Sequence, residues 1–192
     1  MELRRQVLPA VRALVVVTVL CGLVYPLLVL GIGQLAFRHQ ADGSLVSVDG
    51  HVVGSSLLGQ AFTGDGYLQP RPSAAGDGYD GAVSAGANLG PTNDDLLATV
   101  AGRVAAYREA NDLADGVPVP VDAVTASGSG LDPEVSIANA HLQAPRIAAA
   151  RGVPVGAVLR VIDDNIVHRP LGFLGDDGVN VLLVNVALDR LN

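Results

Sequence analysis

Apolar and polar positions change period along this chain, and each period marks a different kind of element. Residues 13–37 contain no charge at all, a run of 25. As a helix it spans about 37 Å at 1.5 Å per residue, enough to cross bilayer hydrocarbon with some tilt. Pro26 falls inside it and is expected to kink it, while Gly22, Gly31 and Gly33 leave places for a second helix to approach closely. Residues 44–48 and 51–53 flank Asp49-Gly50, the pattern of a β-hairpin with a tight turn. Leu57, Leu58 and Phe62 continue the apolar stretch. Residues 63–93 are then poor in apolar side chains and rich in Gly, Pro, Ser, Asp and Asn, which predicts a long irregular segment.

Helical spacing returns at Leu96, Leu97, Val100, Val104 and Tyr107, with Asn93-Asp94-Asp95 as its start. Pro118 and Pro120 bracket a connector. A second helix is predicted up to Arg151, capped at 132–134 or at Ser136 and stopped by Gly152, with Pro145 interrupting it and freeing the carbonyl of His141. A third is predicted from Pro154 to about Val167. The apolar run 179–186 reads as a buried strand. The class is α+β: one N-terminal transmembrane helix, then a single soluble domain with a small β-sheet and about three helices.

Charge orients this plan. Residues 1–37 hold Arg4, Arg5 and Arg12 against Glu2; residues 38–192 hold nine Arg against eighteen Asp and Glu, a net of −9. A signal peptide has an apolar core of about 7–15 residues, shorter than this one, and Gly31-Ile32-Gly33 is a poor cleavage site. Leu20 is too bulky to precede a lipidated Cys21. The run therefore reads as a retained anchor. By the positive-inside rule, 1–12 is a cytoplasmic tail, 13–37 the transmembrane helix and 38–192 an extracytoplasmic domain at the plasma (inner) membrane.

Composition excludes several chemistries. All twelve cations are Arg. Without Lys there is no P-loop and no Lys Schiff base. The acidic domain repels a phosphate backbone, so nucleic acid is not an expected partner, and a helix-turn-helix reading of the helices joined at Gly152-Val153-Pro154 falls with it. One cysteine, Cys21, allows no intrachain disulfide and no multi-Cys zinc site. Gly64-Asp65-Gly66-Tyr67 recurs as Gly76-Asp77-Gly78-Tyr79; without the terminal Glu of a calcium loop, turn chemistry is the better account and no metal is expected. Ser127-Gly128-Ser129-Gly130 lacks the leading Gly of a nucleophile elbow, and His39, His51, His141 and His168 are isolated from one another. A Ser129–His pair formed in space stays open, as a membrane-tethered external hydrolase, and so does a free-standing binding module. Gln143 and Arg146, one turn apart, have the spacing of a polar pair, but a solvated helix face is the default reading.

Several segments together resemble a known family: Gly54-Ser55 with Leu58-Gly59-Gln60-Ala61-Phe62, Tyr67 with Arg71-Pro72-Ser73-Ala74, Asn88-Leu89-Gly90-Pro91-Thr92-Asn93, and the run from Val124 through Thr125-Ala126-Ser127-Gly128-Ser129-Gly130-Leu131-Asp132-Pro133. Gln143, Arg146, Ala150-Arg151, Val179-Asn180-Val181 and Asn185-Val186-Ala187-Leu188-Asp189 continue it, and Tyr25-Pro26-Leu27 fits in the anchor. The chain resembles the C chain of the potassium-transporting ATPase, KdpC. Where that family usually reads Ser-Gly-Gly-Ser, this chain has Ser84-Ala85-Gly86-Ala87; a positive φ at position 85 would strain the alanine.

The resemblance implies a non-catalytic, single-pass subunit of an ATP-driven potassium importer. Its implied partners are a channel-like potassium-binding subunit, a P-type ATPase subunit and the lipid bilayer. It implies no cofactor of its own, ATP through the partner ATPase, potassium as the transported ion, a role in assembly, and a catalytic-chaperone effect that raises ATP affinity. It also links Gln143 to nucleotide. The charge reading puts the domain outside, away from ATP, so an effect on ATP would be allosteric, exerted by binding one pump conformation better than another. The residues expected to shape a docking surface over the channel-like subunit are Arg71, Pro72, Ser73, Asn88, Ser127, Gly128, Ser129, Gly130, Asp132 and Arg146. The −9 charge is expected to gather cations there, within about 8 Å at physiological salt.

Overall fold

The computed structural model describes residues 2–191, with side chains from Arg5 to Leu191. The chain divides into two compact units, one ending at Leu45 and one beginning at Val46. In the first unit, helices α1 (Glu2–Val19) and α2 (Tyr25–Ala36) are continuous through a π-helical turn, Leu20–Val24. The stretch Arg5–Ala36 is long and apolar enough to cross a membrane, and its side chains point outward. The kink expected at Pro26 is absorbed by that turn. The Tyr25 N–H bonds back to the Leu20 carbonyl, so the ladder widens just ahead of the ring that cannot donate. Helix α3 (Arg38–Ala41) adds one more turn.

The expected hairpin, β1 (Leu45–Val48) and β2 (His51–Ser55), starts at the last residue of the first unit and otherwise belongs to the second. Asp49 (φ 50°) and Gly50 (φ 80°) both take left-handed backbone, as a two-residue type I′ turn requires. Residues 56–93 hold turns and bends without helix or strand. Helix α4 (Asp94–Ala110) starts where expected: the Asn93 side chain accepts the Leu96 N–H at 3.0 Å, and Asp94 and Asp95 favour the positive end of the helix dipole. After the short α5 (Val121–Val124) comes β3 (Glu134–Ser136). Of the two caps offered by the sequence, Ser136 is the one used. It accepts the Asn139 N–H at 3.1 Å and opens α6 (Ile137–Arg151), which closes on Gly152 at φ 66°.

Three expectations are corrected here. Pro145 does not interrupt α6. Its ring lies on the exposed side, while Ala144, Ile147 and Ala148 are buried, and that packing holds the helix through the missing hydrogen bond. Helix α7 (Val155–Asp164) ends before 166, because Ile166–Val167 forms strand β4. The run 179–186 is not one strand. Only β5 (Gly178–Asn180) is extended, and the remainder is helix α8 (Val181–Leu188), capped by the Asn180 side chain accepting the Leu183 N–H at 3.1 Å.

Strand β5 lies between β3 and β4, antiparallel to both, with Val179 opposite Val135 and Ile166. Helices α6, α7 and α8 bury Ala144, Ile147, Val158, Ile162, Val184 and Leu188 against this sheet, and Leu68 of the irregular segment joins the same core.

Candidate docking site

An irregular segment can pack into a core only if its backbone polar groups find partners. Residues 68 and 69 do so through two buried side-chain amides. Asn185 on α8 accepts the Leu68 N–H (2.8 Å) and donates to the Leu68 carbonyl (2.9 Å). Gln143 on α6 accepts the Gln69 N–H (2.8 Å) and donates to the Gln69 carbonyl (3.1 Å). Each amide acts as a one-residue strand partner. Gln143, 2% exposed, also donates to Asn139 (2.9 Å) and accepts from Arg146 (2.7 Å), so this face is not solvated as the default reading had it; the pair forms inside a larger buried network. Arg146 continues it to the carbonyls of Asp65 (2.6 Å) and Tyr67 (3.2 Å) and to Asn111 (3.1 Å). Burial lowers its pKa, offset by Asp65 and Tyr107. Arg151 caps the far end: it bonds the Gly66 and Leu188 carbonyls, pairs with Asp189 at 2.8 Å and lies 4.8 Å over the Tyr67 ring.

The segments around 71–86 and 127–132 form a second lattice. Arg71 pairs with Asp132 at 2.8 Å. The Ser73 hydroxyl donates to the Gly130 carbonyl (2.7 Å) and accepts the N–H groups of Ala75 (3.1 Å) and Tyr79 (2.9 Å). The Tyr79 hydroxyl donates to the Arg71 carbonyl (2.6 Å). Burial, then the Asp132 charge, push that hydroxyl up to about 12. From the other side, Ser84 Oγ and the Ala85 N–H both donate to the Ser129 carbonyl. Gly130 is required at this crossing: φ is 67°, and a Cβ would lie 2.6 Å from the Ala85 carbonyl oxygen. Ala85 itself does not take a positive φ, so its methyl is unstrained.

This lattice shapes a concavity of about 540 Å³ lined by Arg71, Ser127, Gly128, Ser129 and Asp132, with Leu57, Leu58, Leu131 and Pro133. Five of the expected docking residues thus meet around one depression. Ser73 and Gly130 hold it from behind, and Pro72 is half-buried beside them. Asn88 lies exposed farther along, at a φ of 53° that Asn tolerates. Arg146 belongs to the other network. Ser129 Oγ accepts the Leu131 N–H, while His141 pairs with Asp163 and His168 with Asp177. Sequence reasoning missed Asn139 and Asp122 and took Tyr107 only as a position of the helical apolar spacing; Asp122 accepts Ser136 and Asn139 (2.8–2.9 Å) and Tyr107 donates to Asn139 (2.8 Å). Asn139 left one signal, a polar residue on the face of α6 that also buries Ala140, Ala144 and Ile147.

Among the described residues, one helix long and apolar enough to cross a membrane, joined to an α+β unit whose loops and Arg71–Asp132 pair form a depression, fits a membrane-anchored accessory subunit. Residues 7–190 match the family described as KdpC, the K+-transporting ATPase c chain. The potassium-transporting ATPase KdpC subunit of Mycobacterium tuberculosis is 59% identical over 189 residues, 98% of this chain and 100% of the relative. That of Beijerinckia indica is 55% identical over 181 residues, covering 94% and 91%, and that of Caulobacter vibrioides 52% over 182 residues, again 94% and 91%. The chain belongs to the KdpC family and is a subunit of a potassium-transporting ATPase system.

Proposed function

We propose that this subunit is a non-catalytic external cap. Its helix, residues 13–37, anchors it with residues 1–12 in the cytoplasm. The domain at 38–192 rests on the outer face of the channel-like subunit through the Arg71–Asp132 depression. It raises the ATP affinity of the P-type ATPase subunit without touching nucleotide. The observation that carries this reading is Gln143, the residue tied by resemblance to nucleotide: it is buried, and both ends of its amide are already bonded to the backbone of Gln69. A nucleotide could bond this amide only by displacing the Gln69 backbone from it.

An external cap acts on ATP by preferring one pump conformation. A tenfold change in ATP affinity needs a differential docking energy of about 1.4 kcal/mol between conformations, well within what one rigid surface supplies. The lattice behind the depression keeps that surface from adapting equally to both states. The net charge of −9 on residues 38–192 supports a second effect, a raised local cation concentration that does not distinguish potassium from sodium. The test is potassium-stimulated ATP hydrolysis by the pump purified with and without this chain. The KM for ATP is expected to rise without it and to be restored on adding it back. Equal KM values would remove the chaperone role.

A further inference from the structure

Strands β4 and β5 are joined by a ten-residue loop, 168–177, whose base is built and whose tip is apolar. The base is closed by the pairing of Val167 with Gly178 and by Asp177, which accepts the Arg169 N–H (2.9 Å) and bonds His168 (3.3 Å). Inside it, the N–H groups of Phe173 and Leu174 turn back to the Pro170 carbonyl. This frame holds Leu171 80% and Phe173 70% exposed, with Leu174 exposed beside them. Leu171 keeps a left-handed φ of 57°, which glycine would take without strain. A strained, solvated leucine next to a solvated phenylalanine contributes nothing to this chain's own core.

We infer that the 170–174 tip is a hydrophobic anchor that inserts into an apolar pocket on a partner subunit of the pump. The inference rests on the accessory-subunit reading and adds a second contact to the Arg71–Asp132 depression. Charge selects the occupant. Around the tip in sequence, from 160 to 177, Asp163, Asp164, Asp176 and Asp177 stand against Arg160 and Arg169, a net of −2 with Asp163 and Asp177 paired to His141 and His168, and the chain has neither Lys nor Trp to settle a loop among lipid headgroups. Anionic lipid repels such a rim, and so does a second copy of the same tip. A protein pocket with a neutral or basic rim fits both the apolar tip and its acidic base.

The test places photoreactive benzoylphenylalanine at Phe173 in the full chain, co-expressed with the other pump subunits, with Leu97 on α4, also exposed, as the comparison position. Illumination is expected to give an adduct with a pump subunit from position 173 and little from position 97. In parallel, the double variant Leu171→Ser, Phe173→Ser is expected to be retained at least tenfold less well in the detergent-purified complex. Leu171→Gly is expected to keep its Tm while losing retention, which separates docking from folding. Adducts with lipid or with a second copy, equal crosslinking from both positions, or unchanged retention would overturn the anchor while leaving the subunit reading intact. A native chain that fails to co-purify with any pump subunit would overturn both.

Discussion

Replacing Gln143 by Leu removes the amide and keeps nearly the same volume. Four hydrogen bonds are lost: to the Gln69 N–H, the Gln69 carbonyl, Asn139 and Arg146. Asn139 and Arg146 keep other partners, Tyr107 and Asp122 for the first and the Asp65 and Tyr67 carbonyls for the second. The lasting damage falls on Gln69, whose backbone donor and acceptor are both stranded beside a new apolar side chain. At about 1–3 kcal/mol for each unsatisfied buried group, and allowing some water to reach this half-buried residue, the cost is about 2–4 kcal/mol. In a unit of this size that lowers Tm by about 5–15 °C. Thermal unfolding of the detergent-solubilised chain, followed by circular dichroism, reads the stability. The KM for ATP of the assembled pump, measured well below the variant's Tm, reads function. The expected result is a large loss of Tm with little change in KM. An unchanged Tm together with a raised KM would refute the reasoning and make Gln143 a nucleotide contact.

Three further outcomes follow from the lattice behind the depression. Gly130→Ala drives a methyl to 2.6 Å from the Ala85 oxygen at a positive φ and is expected to cost about 2–4 kcal/mol, whereas Gly128→Ala, with open space around its Cβ, costs under about 1 kcal/mol; urea midpoints compare them. Tyr79 holds its proton up to about 12, against 10.0 for an unperturbed tyrosine, so its contribution is intact below pH 10 and is lost as pH rises towards 12; Tyr79→Phe flattens that alkaline slope in a pH series of unfolding midpoints. Burial, then Asp132, raise the Glu134 carboxyl, so the folded state favours its protonated form and loses stability as pH rises through the carboxylate range; Glu134→Gln is expected to melt higher than the native chain at pH 7, with the gap closing towards pH 4.

Local signals in the sequence were legible wherever local chemistry decides the structure. Asp49-Gly50 specified a hairpin because its turn needs two left-handed residues, and Asn93, Ser136 and Gly152 marked helix ends because each satisfies or closes a terminal turn. The run 179–186 failed because an apolar stretch fully enclosed by core reads alike as strand or helix; Asn180, three residues before the amide it caps, was the signal that separates them. Pro145 failed because packing on both sides of it outweighs its local cost. At the site, the Arg71-Pro72-Ser73 and Ser127–Asp132 segments were recognised by resemblance. Their physical task, an ion pair and a serine latching two loops, depends on contacts between residues about 60 apart in the chain and left no periodic trace. The amide clamps at Gln143 and Asn185 were invisible for the same reason.

The central claim, an external domain acting on ATP at a distance, is tested most directly by topology. Cys21→Ala removes the only native thiol, and Asp115→Cys places a new one on an exposed turn. Intact cells are treated with a membrane-impermeant maleimide, and a second sample is treated after lysis. Equal labelling is expected in both. Labelling only after lysis would place the domain in the cytoplasm, contradict the external cap and return direct nucleotide contact to consideration.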